Sequence, residues 1–140
     1  MANWLGFDYG KRFIGVAVGS DLTHLAEAVK SLPATKGVPH WDAIDQVVKT
    51  WQPVGLILGY PLNMDGSGQK MSRHVLTFRK NLVSRYQMPC YLVDERLSTQ
   101  SAKEMVGNRH SKEQLNALAA QIILQHWFDE GMSKENHFLE

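Results

Sequence analysis

The sequence has little cysteine, no long apolar run and no signal-peptide pattern. The one cysteine, Cys90, has no partner for an internal disulfide, and it lies in the apolar run 90–93, which is typical of a reduced core thiol rather than a nucleophile. No stretch approaches the length that spans a bilayer, and the N-terminus lacks a basic segment followed by an apolar run. We therefore expect a cytoplasmic protein that does not bind a membrane.

Net charge is also almost absent. Fifteen Lys and Arg residues against fourteen Asp and Glu residues give a formal charge of +1, so long-range attraction alone does not predict a nucleic-acid partner. A polyanion would need a local basic surface. The length of 140 residues predicts one domain over 1–140 that folds without disulfides or metal, with a frayed tail from residue 133.

Apolar periodicity predicts a mixed α/β fold. A period of two in 5–19 indicates a hairpin, and helical spacing of apolar residues recurs three times later in the chain. The last helix is expected to bury Leu115, Leu118, Ala119, Ile122, Ile123 and Phe128. The whole pattern predicts a mixed five-stranded sheet with helices on both faces. Its elements are the hairpin, a strand at 25–32, a breaker at 33–39, a helix at 41–51, a strand at 54–58 ended by Gly59, Tyr60 and Pro61, a helix at 71–86, a strand at 90–93, a helix from Ser98 or Thr99 to about 106, and a helix at 112–130.

Asp8 is the most unusual residue of the opening hairpin. A strand that enters a core seldom ends in a carboxylate unless something pairs with it, because burying an uncompensated charge is costly. Small neighbours such as Gly6, Gly10 and Gly15 would let a metal ion, a phosphate or a sugar approach. The alternative is that Asp8 bonds amides of its own turn.

A second acidic strand end follows the last predicted strand, at Asp94 and Glu95. If this strand is a neighbour of the first, Asp8 and Glu95 lie close together at one end of the sheet. Carboxylates that close raise one another's pKa unless a cation lies between them. The alternative is an exposed turn in which Arg96 pairs with Asp94.

Oxygen ligands without a His or Cys cluster favour Mg²⁺ or Mn²⁺ over zinc. Magnesium held by a few carboxylates is typical of phosphoryl chemistry, because oxygens of the substrate complete its coordination shell. The residues themselves therefore favour a Mg²⁺ or Mn²⁺ site suited to phosphoryl chemistry.

Four motifs in order resemble those of the YqgF family, also called RuvX, of the ribonuclease-H-like superfamily. They are FDYGKRFIGVAVG at 7–19, GYPLNMDGS at 59–67, DERLST at 94–99 and LNALAAQIILQHWF at 115–128. The resemblance implies a ribonuclease-H-like fold and a nuclease that processes the 5′ end of precursor 16S ribosomal RNA, with an older assignment to Holliday-junction resolution. It also implies that the three acidic positions of the family fall on Asp8, Glu95 and position 116.

Position 116 departs from the family, because it holds Asn116 where members usually have Asp. An amide offers a carbonyl oxygen to a metal but brings no charge and accepts no proton. We expect Asp8, Glu95 and Asn116 to hold Mg²⁺ or Mn²⁺, with Arg96 as a further catalytic residue. The alternative for Asn116 is a capping or hydrogen-bonding role at the start of the last helix.

Basic residues near the predicted site are candidates for contact with a nucleic-acid backbone. Surface lysines and arginines more often only solvate a face, and that alternative stays open for this set. Tyr9 and Tyr60 are expected beside the site, as stacking platforms or as core, whereas Trp41, Trp51 and Trp127 fit core stripes, and Asp65 fits a turn slightly better than a functional acid. The candidate contacts are Lys11, Arg12, Arg73, Arg79, Arg109 and His110.

Three functions compete at this point. The first is a nuclease that prefers an RNA precursor over branched DNA and acts as a monomer or weak homodimer. The second is a nucleic-acid-binding or ribosome-assembly module that has lost turnover because of Asn116, with Holliday-junction resolution as a further variant of the first. The third is an actin-like phosphotransferase, because Asp8, Gly10 and Gly15 also have the spacing that cradles ATP phosphates, although such enzymes close two domains around the nucleotide.

Overall fold

The described part of the chain folds into a six-stranded sheet that is covered by helices on both faces. A computed structural model of the chain describes residues 2–61, 70–95 and 112–134. The strands and helices are β1 (Asn3–Asp8), β2 (Phe13–Ser20), β3 (Ala26–Thr35), β4 (Val38–Pro39), α1 (Trp41–Trp51), β5 (Gly55–Tyr60), α2 (Lys70–Tyr86), β6 (Cys90–Asp94) and α3 (Lys112–Asp129).

The strand order is β4-β3-β2-β1-β5-β6. The pairs β1–β2, β2–β3 and β3–β4 are antiparallel, whereas β5 is parallel to β1 and β6 is parallel to β5. Strands β1, β5 and β6 therefore all finish at the same end of the sheet, which we call the carboxyl end. The turn between β1 and β2 and the turn between β3 and β4 lie at this end too, since β2 and β4 start there.

The two faces of the sheet carry different side chains. Helices α1 and α2 cover one face through large apolar residues, whereas α3 covers the other. The first face contributes Leu5, Phe7, Ile14, Val16, Leu56 and Leu58 to the core, and the second contributes Trp4, Ala17, Ile57 and Val93.

Glycines bring the backbone of α3 unusually close to the sheet. A Cβ atom added at Gly15 would lie 1.8 Å from the carbonyl oxygen of Asn116, and one added at Gly6 would lie 2.8 Å from Cβ of Leu124. Any larger residue at Gly15 would push the helix backbone away. The small residues of β1 and β2 thus set the distance between α3 and the end of β1.

The fold class is confirmed, but the strand count and two strand limits were wrong. The expected breaker at 33–39 is instead the end of β3 followed by β4. The amide of Ala34 donates to the carbonyl of Arg12, so the nitrogen of Pro33 faces away from β2, where no N–H is needed. Strand β5 likewise continues through Gly59 and Tyr60, which pair with β6.

The helices agree closely with the expectation where the structure describes them. Helix α1 has the predicted limits, α2 starts one residue earlier, and α3 ends at Asp129, just before Gly131 with a φ of 86°. The helix expected from Ser98 or Thr99 lies outside the described residues. In α3, the side chains of Leu115, Leu118 and Ile122 are only half-buried, because the buried face is formed by Ala117, Ala119, Ala120, Ile123, Leu124, Trp127 and Phe128.

Cys90 is a core residue, as expected. It is 1 % exposed, and burial raises the pKa of its thiol to about 12. A thiol with that pKa is not a nucleophile at neutral pH. Within residues 2–61, 70–95 and 112–134, no helix combines the length and apolarity needed to cross a bilayer.

Candidate active site

Asp8 is the last residue of β1 and points toward α3. Side chains alternate between the two faces of a strand, so Asp8 shares a face with Gly6, which contacts α3, while Phe7 lies in the core under α1 and α2. Asp8 is only 8 % exposed. Strand β1 therefore places a carboxyl group that is almost fully buried at the carboxyl end of the sheet.

Glu95 reaches the same position from β6. Its amide donates to the carbonyl of Tyr60 at 3.2 Å, which fixes the chain as it leaves the strand. Its carboxyl group extends over Gly59 of β5, since a Cβ atom added at Gly59 would lie 2.4 Å from Oε2 of Glu95. Oε2 is buried, although the residue as a whole is partly exposed. The absence of a side chain at Gly59 thus opens the space through which Glu95 approaches Asp8.

The carboxyl groups of Asp8 and Glu95 form a hydrogen-bonded pair. Burial raises the pKa of Asp8 to about 7, against an opposing effect of the hydrogen bond from Glu95. Burial, followed by repulsion from Asp8, raises the pKa of Glu95 well above its usual range. Two buried carboxyl groups that are hydrogen-bonded to each other titrate together, and the bond between them needs a proton on one of the two.

Asn116 completes the surroundings of the pair from α3. It is the fifth residue of that helix and is half-buried. Its backbone lies against Gly15, the cross-strand partner of Asp8, and its Nδ2 lies 3.9 Å from the position of a Cβ atom at Gly10. The structure therefore brings Asp8, Glu95 and Asn116 to one end of the sheet from three different elements.

The chemistry of these donors fits a hard divalent cation. Two carboxylates and one amide oxygen are ligands that Mg²⁺ and Mn²⁺ accept, and a cation between the acids would offset the burial and the repulsion that together raise the pKa of Glu95. Among residues 2–61, 70–95 and 112–134, no three His, Cys, Asp or Glu side chains form a metal-binding group.

The candidate nucleic-acid contacts occupy different environments. Lys11 and Arg12 are exposed in the turn between β1 and β2, and Arg73 is exposed near the start of α2. Arg79 instead donates from Nε to the carbonyl of Cys90 at 2.8 Å, so it ties α2 to β6. Arg96, Arg109 and His110, together with Asp65, lie outside the described residues.

The aromatic residues near the site are core residues. Tyr9 and Tyr60 are 7 % and 8 % exposed and lie on the face covered by α1 and α2, opposite to Asp8. Tyr9 donates its hydroxyl hydrogen to the carbonyl of Gly37. Of the two alternatives for these tyrosines, the structure shows core residues rather than base-stacking platforms. Trp127 lies on the buried face of α3, as expected for a core stripe.

Sequence reasoning missed two residues that shape this end of the sheet. Gly59 was interpreted as a strand breaker, although a glycine inside an apolar run is also a signal for close approach of another group. Lys36 was not considered, because nothing in the order of the chain shows that its turn lies beside Lys11. The carbonyl of Lys11 accepts a hydrogen bond from Gly37 at 3.0 Å.

Comparison with known proteins gives matches over nearly the whole chain. A protein of Actinobacillus pleuropneumoniae serotype 5b (strain L20) named "Putative pre-16S rRNA nuclease" is 42% identical over 130 residues, which cover 89% of this chain and 95% of that protein. A protein of the same name from Nitrosococcus oceani is 43% identical over 130 residues, covering 90% of this chain and 86% of the relative.

A solved structure, "T. thermophilus RuvC in complex with Holliday junction substrate", superimposes with a TM-score of 0.56 at 14% identity and covers 94% of this chain and 96% of its own. At that identity, the likeness concerns the fold alone. The model of the family described as "RuvX: Holliday junction resolvase" matches residues 2–130. The resemblance of the four motifs is thus confirmed, and the chain belongs to the RuvX family.

Proposed function

We propose that this protein is a metal-dependent phosphodiesterase that cuts structured RNA and processes the 5′ end of precursor 16S ribosomal RNA. The observation that carries the proposal is the buried, hydrogen-bonded pair of Asp8 and Glu95 at the carboxyl end of the sheet. Two buried acids placed side by side lower the stability of the fold, and such destabilising arrangements are typical of functional sites. The name of the relatives supports RNA as the substrate.

Asp8 and Glu95 would hold Mg²⁺ or Mn²⁺ together with the amide oxygen of Asn116. When bound, the cation would supply a Lewis acid that stabilises negative charge on the phosphoryl group and favours deprotonation of water. The chain itself contributes fixed ligands on three elements, burial that strengthens their interaction with a cation, and exposed Lys11 and Arg12 that bind phosphates beside the pair. Arg96 stays a predicted catalytic residue.

Cleavage of a 5′-extended 16S precursor RNA with Mg²⁺ or Mn²⁺ tests the proposal. We expect wild type to cut this RNA and Asp8→Asn to lose at least about a hundredfold in rate, because the amide cannot supply a charged ligand. Asp42→Asn is the matched control, since Asp42 is exposed on the first turn of α1. Equal cleavage by wild type and Asp8→Asn would contradict the proposal, as would preference for a four-way DNA junction over the RNA.

The second candidate is a nucleic-acid-binding module without turnover, and Asn116 is the residue that favours it. One carboxylate fewer lowers the affinity of an oxygen site for a hard cation. If wild type binds the RNA in a salt-dependent manner but does not cut it, and Asn116→Asp gains cleavage, the chain is a binding module with a weakened catalytic site.

A further inference from the structure

Two turns that are far apart in the sequence lie side by side at the carboxyl end of the sheet. One is the turn that joins β1 to β2 and contains Lys11 and Arg12. The other joins β3 to β4 and contains Lys36 and Gly37. We call them together the basic turn pair. Both lie at the end of the sheet where Asp8 and Glu95 meet, on the side of β2 and β3.

Three backbone-directed hydrogen bonds hold the turns together. The amide of Gly37 donates to the carbonyl of Lys11 at 3.0 Å, the amide of Ala34 donates to the carbonyl of Arg12 at 2.8 Å, and the hydroxyl of buried Tyr9 donates to the carbonyl of Gly37. A tyrosine anchored in the core thus fixes the second turn against the first. The position of Lys36 is therefore set by the sheet rather than by a loose loop.

Left-handed backbone conformations make the tip of the second turn tight. Lys36 has a φ of 52° and Gly37 a φ of 86°, the conformation of consecutive residues in a narrow hairpin turn. Lysine is not favoured there, since asparagine and glycine adopt positive φ more readily. A lysine at this place provides a charge at the tip of the turn at some conformational cost.

The basic turn pair carries three exposed cations and no acid. Lys11, Arg12 and Lys36 are all exposed, and neither turn contains Asp or Glu. Among the described residues, Arg85 forms an ion pair with Asp45, but none of these three cations forms one with an acid. A chain with a net charge of only +1 therefore concentrates positive charge, without an acidic partner among the described residues, at the end of the sheet where Asp8 and Glu95 lie.

Concentrated, exposed lysine and arginine charge attracts the phosphates of a nucleic acid, because binding releases counterions. We propose that Lys36, with Lys11 and Arg12, binds the backbone of the RNA substrate on the β2–β3 side of the Asp8–Glu95 pair. This inference rests on the proposed function for the identity of the substrate. It assigns the β3–β4 turn a role in positioning RNA, and it predicts contacts that do not depend on base sequence.

The test is the affinity of the full chain for the 5′-extended precursor RNA, measured by fluorescence anisotropy in EDTA over a series of salt concentrations. Lys36→Asn removes the charge while suiting the left-handed turn, and Lys36→Arg keeps the charge. Lys49→Gln is the matched control, because Lys49 is exposed in the last turn of α1, at the opposite end of the sheet.

We expect Lys36→Asn to weaken binding roughly threefold to tenfold at about 0.1 M salt and to reduce the slope of log K against log salt by about 0.7 to 0.9. Lys36→Arg and Lys49→Gln should bind as wild type does, and melting temperatures should show that each variant is folded. If wild type cuts the RNA but Lys36→Asn binds it with unchanged affinity and slope, the inference is wrong and the proposed function stands. If Lys49→Gln weakens binding as much as Lys36→Asn, the inference is also wrong. If wild type neither binds nor cuts the RNA, both fail.

Discussion

The two faces of the sheet are packed in different ways. Under α1 and α2, alternate positions of β1, β2 and β5 carry large apolar side chains such as Phe7, Ile14 and Leu58, all 0 % exposed. Under α3, the intervening positions carry Gly6, Gly15 and Gly59, and a carboxylate, Asp8, ends β1. Both faces have an apolar core, but only on the second face do glycines let the backbone of a helix, α3, lie directly against the strands.

This difference shows how a small protein combines stability with a charged site. The face with large side chains buries enough apolar surface to hold the sheet together. The other face also has an apolar core, but at Gly6, Gly15 and Gly59 it gives up side-chain burial and gains close approach of α3 and of Glu95. This approach brings Asn116 beside the cross-strand partner of Asp8. Adding or removing a single methyl group should therefore have unequal effects on the two faces.

The largest expected effect is that of Gly15→Ala compared with Ile14→Val. The new Cβ atom would lie 1.8 Å from the backbone oxygen of Asn116, so α3 would have to shift, and we expect a loss of roughly 3 kcal/mol or more in the free energy of unfolding. Ile14→Val, on the opposite face, removes one methyl group and should cost about 0.5–1.5 kcal/mol. Urea unfolding measures both. Equal losses would show that the faces do not differ as described.

The next effect concerns the pH dependence of stability and compares wild type with Asp8→Asn. The pKa of Asp8 is raised to about 7 in the folded protein from an ordinary value of 3.8. As pH rises through this window, the unfolded chain loses its proton while the folded pair must keep one, so folding becomes less favourable for wild type. We expect Asp8→Asn to become more stable than wild type toward neutral pH, by on the order of 1–3 kcal/mol without added cation.

Thermal unfolding in EDTA from about pH 4 to about pH 8 measures this difference. The stability of Asp42→Asn, in which an exposed carboxyl group is replaced, should follow that of wild type across the range. If the curves of wild type and Asp8→Asn were parallel, the two acids would not form a buried pair.

The smallest effect separates two arginines of α2. Arg79→Gln removes the hydrogen bond to the carbonyl of Cys90 and should lower the free energy of unfolding by about 1 kcal/mol, with RNA affinity unchanged. Arg73→Gln, at an exposed position, should leave stability unchanged and weaken RNA binding about twofold to fivefold. Unfolding and anisotropy measurements on both variants check the assignment. The reverse pattern would make Arg79, rather than Arg73, the RNA contact.

Much of the fold followed from local patterns. The alternation in 5–19 predicted the β1–β2 hairpin, and the apolar spacing of Trp41, Ile44 and Val47 predicted α1 with its observed limits. The two acids were found because each stands where an apolar strand ends, and parallel neighbours bring such ends together. The four motifs indicated the family to which the chain belongs.

Other features depend on contacts that no local pattern contains. In α3, leucine, isoleucine and alanine occur all around the helix, so periodicity alone did not separate half-buried Leu118 from buried Leu124. Pro33 was interpreted as a breaker because a proline fits inside a strand only where its nitrogen faces away from the neighbouring strand. That direction follows from the pairing with β2, which the local sequence does not contain. The roles of Gly59 and Lys36 likewise follow from neighbours distant in the chain.

Titration of the full chain with Mn²⁺, followed by calorimetry or by electron paramagnetic resonance of the free ion, tests the central claim most directly. If Asp8 and Glu95 form one cation site, wild type binds Mn²⁺, Asp8→Asn and Glu95→Gln each lose at least about tenfold in affinity, and Asn116→Asp gains affinity. Asp42→Asn should bind as wild type does. Unchanged Mn²⁺ affinity in Asp8→Asn and Glu95→Gln would contradict the account.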